Sequence, residues 1–252
     1  MKIFFPFSGS SIGGSHNSVL QIINKLSNQY QPIIIYHKKN KNFQNFISKY
    51  NLNSIFLPLN NIPAENPNIL SIFIRLLKNY FTINKFIRLH KPDIIHCNDL
   101  GMCLMWSFAN IFNRKKILWH QRQIMSNSLK YYFINFLNCI IICNSYTTFN
   151  SVPTFVKNKK YLIYNFLGKE KQNHKLTYSS DYLNFIENCK KNKKTILCYM
   201  GRIEFNKNIS MLIELLHNLK KKKYNFSLIL VGPVNSKYRS KLNIMIKEKK
   251  IK

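Results

Sequence analysis

The residues best placed to do chemistry are Arg202 and Lys207, in the stretch CYMGRIEFNKN at residues 198–208. An apolar run, TILCYM, stops at Gly201, the two cations follow, and an amphipathic run begins at Ile209. That order reads as a buried strand, a glycine break, and a loop that delivers both cations to the start of a helix. A helix N-terminus offers unpaired N–H groups and about half a positive charge, so two cations beside it favour a phosphate or diphosphate. Solvated loop cations are the alternative reading of the same pair.

Gly13 and Gly14 form a second candidate, between the apolar run KIFFPF and a helical face made by Val19, Leu20, Ile22, Ile23 and Leu26. Glycine there lets backbone approach a ligand closely, and the helix start again favours an anion; a plain tight turn is the alternative. The spacing of Gly9, Gly13 and Gly14 is not G-x-G-x-x-G, and the next apolar run ends in Tyr36-His37-Lys38 with no ribose-binding acid. Both departures argue against a nicotinamide cofactor. His96 in IIHCND and His120 in ILWHQRQ each end an apolar run. With Asp99 and Arg122 beside them, they read as the lining of one cleft. His16 opens the first helix and either joins them or faces solvent. H-E-x-x-H does not occur, so nothing points to a zinc protease.

The elements that must position these residues alternate between short apolar runs and helical periodicity. Residues 2–7, 32–37, 54–59, 93–97, 116–120, 139–143 and 161–164 read as strands. Helices are expected over residues 19–26, 43–50, 68–90, 101–112, 129–136 and 145–150. Residues 166–194 are polar and rich in Lys and Asn, with Tyr182, Leu183, Phe185 and Ile186 as one helical patch, and read as the connection between two domains. After it come a strand at 195–200, a helix at 209–219, a strand at 226–232 and a basic helix from residue 236. Such alternation predicts an α/β protein with two parallel sheets, whose ligands bind at the carboxyl ends of the strands. The domains are expected at 1–165 and 195–252, with 166–194 as linker.

Charge sets the next bound. The chain has 39 Lys and Arg against 9 Asp and Glu, a formal net charge of +30, which fits a nucleic acid or an anionic membrane as partner. The excess residues are Lys, Asn, Ile, Phe and Tyr, so A/T-rich codon usage accounts for part of it. The aromatic residues sit in apolar runs rather than among the cations, which argues against nucleic acid. The six cysteines form no C-x-x-C pair, and four lie in or beside apolar runs, as expected in a reducing cytoplasm. The longest apolar segment, residues 131–143, is broken by Asn135 and Asn138 and falls short of the ~20 residues a spanning helix needs. Residues 68–90 place Ile69, Ile72, Phe73, Leu76, Leu77, Tyr80 and Phe81 at helical spacing among Arg75, Lys78, Lys85 and Arg88. Core packing and peripheral docking on an anionic bilayer both fit that pattern.

Taken together, Gly-Gly at the first helix, PDIIHCND, the run ending in His120, Ser-Tyr after Cys-Asn, IYN, MGRIEFNKNISMLIELLHNL and LILVGP resemble the group 1, or family 4, glycosyltransferases of the GT-B fold. The most specific piece is Gly201, Arg202 and Lys207. The resemblance implies two Rossmann-like domains facing each other across a cleft, with the second incomplete here. It implies transfer of a sugar, with retention, from a nucleotide-sugar to a glycan or lipid-linked acceptor in polysaccharide biosynthesis, without metal or other cofactor. Arg202 and Lys207 would hold the donor diphosphate, Gly13 and Gly14 would approach a phosphate or the acceptor, and His120 would lie at the reaction centre. His16, His96, Asp99, Arg122 and Gly201 would line the cleft. Where relatives read Asn-Gly-Val-Asp, this chain reads Asn165-Phe166-Leu167-Gly168, and where a Glu often follows Gly-Gly it has His16. The paired glutamates expected beyond the strand that ends in Val231-Gly232-Pro233 do not occur before Lys252. A truncated, non-catalytic form of such an enzyme is therefore the alternative, with a basic nucleic-acid binder as a further one.

Overall fold

The computed structural model describes residues 1–9, 12–62, 68–125, 131–165 and 179–249. The chain divides into two compact units, Met1–Glu170 and Lys171–Lys252.

The first unit is a parallel sheet of β1 (Lys2–Phe7), β2 (Gln31–Tyr36), β3 (Ser54–Phe56), β4 (Ile94–Cys97), β5 (Lys116–Gln121), β6 (Cys139–Cys143) and β7 (Lys160–Leu162), in the order β3-β2-β1-β4-β5-β6-β7. Its helices are α1 (Gly14–Ile23), α2 (Lys41–Lys49), α3 (Ile69–His90), α4 (Leu100–Ala109), α5 (Tyr132–Asn135) and α6 (Tyr146–Asn150). Period-2 alternation explains how both faces are covered. Ile3, Phe5, Phe7 and Ile34 pack with Val19 of α1 and Phe43 and Ile47 of α2. Phe4, Ile35, Ile95, Ile117, Trp119 and Ile141 point to the other face, against α3 and α4. The chain runs outward from β1 to β3 on one side and from β4 to β7 on the other, so the topological switch lies between β1 and β4. Ligands of open parallel sheets bind at that crevice, outside the carboxyl ends of the strands.

The expected strand 54–59 pairs only over Ser54–Phe56, at the sheet edge, because Pro58 has no N–H to donate. The helix expected at 129–136 is α5, shorter than the pattern suggests, and residues 126–130 lie outside the described residues. Asn68 caps α3 by accepting from the Ser71 amide at 2.7 Å, which fixes the helix start where the sequence placed it. The loop after β1 turns at Gly9, with φ 74°, where a Cβ would overlap the Lys38 carbonyl oxygen.

The second unit contains α7 (Ser180–Lys191), β8 (Thr195–Met200), α8 (Ile209–Lys221), β9 (Phe226–Val231) and α9 (Ser236–Glu248). Of the expected linker, residues 166–178 lie outside the described residues, and α7 occupies most of the remainder. Among the described residues its sheet has two strands, β8 and β9, paired in parallel. Ile203, Ile209, Ile213 and Leu242 form its small core. The expectation that TILCYM is a buried strand is corrected: Cys198 and Met200 are exposed, because helices pack on one side of a two-stranded ribbon and leave the alternate residues uncovered. Pairing continues past the strands, with the Gly201 amide on Val231 O and the Ile203 amide on Pro233 O, both at 2.9 Å.

Gly232 sits inside this crossing at φ 147°, and a Cβ there would overlap the Gly201 carbonyl oxygen. Gly232→Ala should destabilise the second unit by about 2 kcal/mol or more. Urea unfolding followed by far-UV circular dichroism should show an earlier transition. The chain's two tryptophans, Trp106 and Trp119, are buried in the first unit, so their fluorescence midpoint should hold.

Candidate functional site

At the carboxyl edge of the first sheet, His96 stands next to last in β4, and β5 carries His120 and Gln121 and leads to Arg122. The imidazoles of His96 and His120 stack with centroids 5.5 Å apart and planes 19° apart. Across the switch point, α1 begins at Gly14 with Gly13 as its N-cap, and His16 occupies the third helical position. A Cβ at Gly13 or Gly14 would meet nothing within 4 Å, so open space lies beside both. The alternative of a solvent-facing His16 is corrected: its ring stacks on Phe7 at 4.4 Å, and the residue is 8% exposed. Apolar contact with Phe7 and Phe43 buries it although its helix position alone would face water.

Arg122 ties the cluster together. Its Nη2 donates to Asn98 Oδ1 at 3.2 Å and lies 3.0 Å from His120 Nδ1, while Nη1 donates to Asn165 Oδ1 at 3.1 Å. Ser18 Oγ donates to the same Asn165 oxygen at 3.1 Å. A guanidinium has donors only, so His120 Nδ1 must be the acceptor and the ring proton must sit on Nε2. The Gly13 amide donates to His16 Nδ1 at 3.0 Å, and the same logic puts the His16 proton on Nε2. Both Nε2 atoms are fully buried without a hydrogen-bond partner, as are His96 Nε2 and Arg122 Nε. Leaving a buried N–H unpaired costs about 1–3 kcal/mol, so the Nε2–H groups of His16 and His120 and the Nε–H of Arg122 call for an acceptor.

Burial, with the Arg122 charge nearby, pushes His96 down to about 4 and His120 down to about 3; burial pushes His16 down to about 4 against the Gly13 hydrogen bond. All three are neutral at pH 7. Burial lowers Arg122 to about 10, and it keeps its charge. The cluster is therefore one cation with neutral N–H donors, suited to hydroxyls or to oxygen charge that develops during a reaction. His120 is poorly suited to be a general base, because its Nδ1 already accepts and its ring resists protonation.

Asp99 does not join this group. It is the N-cap of α4, accepting from the Met102 amide at 2.8 Å. Asn98, Asn165 and Ser18 were not among the candidates, although IIHCND contains the first and IYN the second. Among the described residues no three of His, Cys, Asp and Glu form a metal-holding group.

In the second unit, β8 leads through Gly201, at φ 149°, to Arg202. Lys207 closes a 3-10 turn over Phe205–Lys207, and Asn208 follows in the left-handed region at φ 52° as the N-cap of α8. No side chain caps α8, so its first amides stay available to a ligand. Lys207 is exposed. Arg202 Nη1 pairs with Glu204 Oε1 at 3.1 Å, with the two side chains 52% and 38% exposed. An ion pair this exposed is worth little and yields easily to a stronger anion.

Two readouts follow from the first cluster. Long-range 1H–15N spectra at pH 7 should show His16 and His120 as the Nε2–H tautomer, with Arg122→Leu releasing His120 to a mixture. Lowered histidine pKa values mean the unfolded chain binds protons first as pH falls. Stability should therefore be highest above about 6.5 and drop between about 6.5 and 4, by on the order of 1–3 kcal/mol per histidine. Urea midpoints across that range should show the slope, and His120→Asn should flatten it.

Residues 183–252 match the family model described as glycosyl transferases group 1. No curated protein matches the sequence. Among solved structures, the chain is similar to Anabaena HepE in complex with UDP and glucose, with 17% identity and a TM-score of 0.72, covering 100% of this chain and 67% of that one. It is also similar to the lipopolysaccharide outer core galactosyltransferase WaaB, with 16% identity, a TM-score of 0.63, and coverage of 100% and 66%. A third similarity is to sucrose-phosphate synthase from Thermosynechococcus elongatus, with 14% identity, a TM-score of 0.62, and coverage of 100% and 68%. The chain thus spans about two thirds of the length of these structures. With two Rossmann-like parallel-sheet units, the chain has the GT-B fold, and its residues 183–252 match the group 1 glycosyl transferase model.

Proposed function

We propose that the chain serves a glycosyltransferase reaction, taking a sugar from a nucleotide-sugar and passing it, with retention, to a glycan or lipid-linked acceptor. The observation that carries this is Arg202 and Lys207 beside the uncapped N-terminus of α8, inside the stretch that matches the family model. When the bond from the sugar to the diphosphate breaks, negative charge grows on the leaving phosphate. Two cations and a helix N-terminus aimed at that charge stabilise it more in the transition state than before it, which raises rate as well as affinity. They supply the charge that a divalent metal would otherwise provide. UDP is the nucleotide we assign, on the strength of the HepE structures that hold UDP or UDP-glucose. The neutral donors of His120 and His16, with Arg122, are assigned to hydroxyl oxygens of the sugar and acceptor. Gly13 and Gly14 leave room for that approach. The site of action we assign is the cytoplasmic face of a membrane.

A second reading, donor binding without transfer, is favoured by the two-stranded sheet of the second unit. Calorimetric titration with UDP separates binding from chemistry, and a UDP-release assay with candidate sugars reads transfer. Arg202→Ala with Lys207→Ala should weaken UDP binding by about 100-fold or more, each charge-assisted contact being worth about 1.5–3 kcal/mol. Glu204→Gln removes the competing carboxylate and should leave affinity unchanged or raise it. Equal UDP binding by the double variant sinks the assignment, and binding without UDP release selects the second reading.

A further inference from the structure

The helix α3 carries two apolar stripes and only one is used by the core. Ile72, Leu76, Ile83, Phe86 and Ile87 are buried against α4 and the sheet. Around the helix, Ile69, Leu70, Phe73, Ile74, Leu77 and Phe81 form an uncovered stripe, with Leu70 66% and Phe81 79% exposed. Six large exposed side chains in three turns exceed the scattered apolar residues of an ordinary surface.

Three further observations identify what covers it. First, Lys78, Lys85 and Arg88 are exposed on the same helix, and the sequence contains no Asp or Glu between Glu65 and Asp93. A surface that is apolar at its centre, cationic along its length and free of carboxylates complements an anionic bilayer. Second, a copy of this chain offers the same acid-free stripe on a molecule of net charge +30, so self-pairing would face repulsion without a compensating ion pair. Third, the stripe lies at the edge where the chemistry lies. Lys2 Nζ donates to the His90 carbonyl, pinning the C-terminal end of α3 to the amino end of β1. The N-terminal half is held at the opposite edge: Arg75 donates to Asn61 O at 2.9 Å, and Asn61 donates to Ser8 O, just past the carboxyl end of β1. His16, His96 and His120 belong to that same edge.

We propose that the exposed face of α3 is a membrane-docking surface for anionic lipid, placing the carboxyl edge of the first sheet at the headgroup level. Its purpose, access to a lipid-linked acceptor, rests on the function proposed above; the docking itself does not. Among the described residues no helix is long and apolar enough to cross a membrane, so the contact is peripheral.

The test is co-sedimentation of the full chain with vesicles of phosphatidylcholine alone or with about one third phosphatidylglycerol. Leu70→Ser with Phe81→Ser leaves the charge unchanged, and both positions are exposed, so circular dichroism should match the parent. Binding should require phosphatidylglycerol and fall at least tenfold in the double variant, and Lys78→Glu with Lys85→Glu should remove it. Equal vesicle binding by the Leu70/Phe81 variant would show that net charge alone is at work and would overturn the proposal. So would a parent that elutes as a dimer and a variant that elutes as a monomer, which assigns the stripe to a second copy. UDP titration of the same variants should be unchanged. Loss of vesicle binding with UDP binding intact isolates the docking surface, whereas vesicle binding without any UDP binding would fail the glycosyltransferase reading and leave the docking surface standing.

Discussion

A parallel sheet covered by helices on both faces leaves polar side chains few places to stand. Every strand of the first unit except the edge strands is flanked by apolar layers, and its interior positions are filled by Phe, Ile, Cys and Trp. The carboxyl edge is where the backbone leaves the ladder and side chains can turn toward a ligand. That constraint gathers Asn98, His120, Arg122 and Asn165 from segments far apart in sequence into one hydrogen-bonded group, with His96 stacked on His120 and His16 held by the Gly13 amide. Much of what the first unit can do chemically follows from it.

Burial then determines how that group behaves. Three histidines near a guanidinium would repel one another if charged, and removal from water disfavours the charged form further, so they remain neutral and act as oriented donors. The second unit works in the opposite regime. Arg202 and Lys207 are exposed and stand beside a helix N-terminus rather than in a desolvated cluster. A diphosphate suits the second arrangement, because a strong, mobile charge there needs little precision. Hydroxyl groups suit the first, where geometry and not net charge must discriminate.

Much of this was legible in the chain. Apolar runs located the strands because both-face burial demands them, and Asn68 with the 3.6-residue period fixed α3 within a residue. His96 and His120 each stand next to last in their strands, and strand ends in a parallel sheet share an edge, so their rings meet. Other features depend on contacts that periodicity does not encode. The sequence leaves His16 between the cleft and solvent, since nothing local announces that Phe7 will stack on it. Asn165 lies 43 residues from Arg122, and only the folded sheet brings it within hydrogen-bond distance. Asp99 looked chemical beside two histidines, but a carboxylate one residue before a helix is more often its cap, and that signal was present in the order Asp99-Leu100. The burial of β8 was overestimated because an apolar run reports what a strand can bury, not how many neighbours it has.

Net charge is the feature that sequence and structure weigh most differently. A surplus of +30 could mean attraction to any polyanion, yet the buried cluster contains a single cation and the loop before α8 two, Arg202 and Lys207. The rest is spread over helix surfaces, where each lysine is screened within about 10 Å. Dispersed charge of that kind confers general affinity for anionic surfaces without selecting one. On α3 the cations accompany an uncovered apolar stripe, and a surface combining the two discriminates between polyanions: nucleic acid answers the charge but offers no apolar interior to receive Phe81. A lipid bilayer answers both.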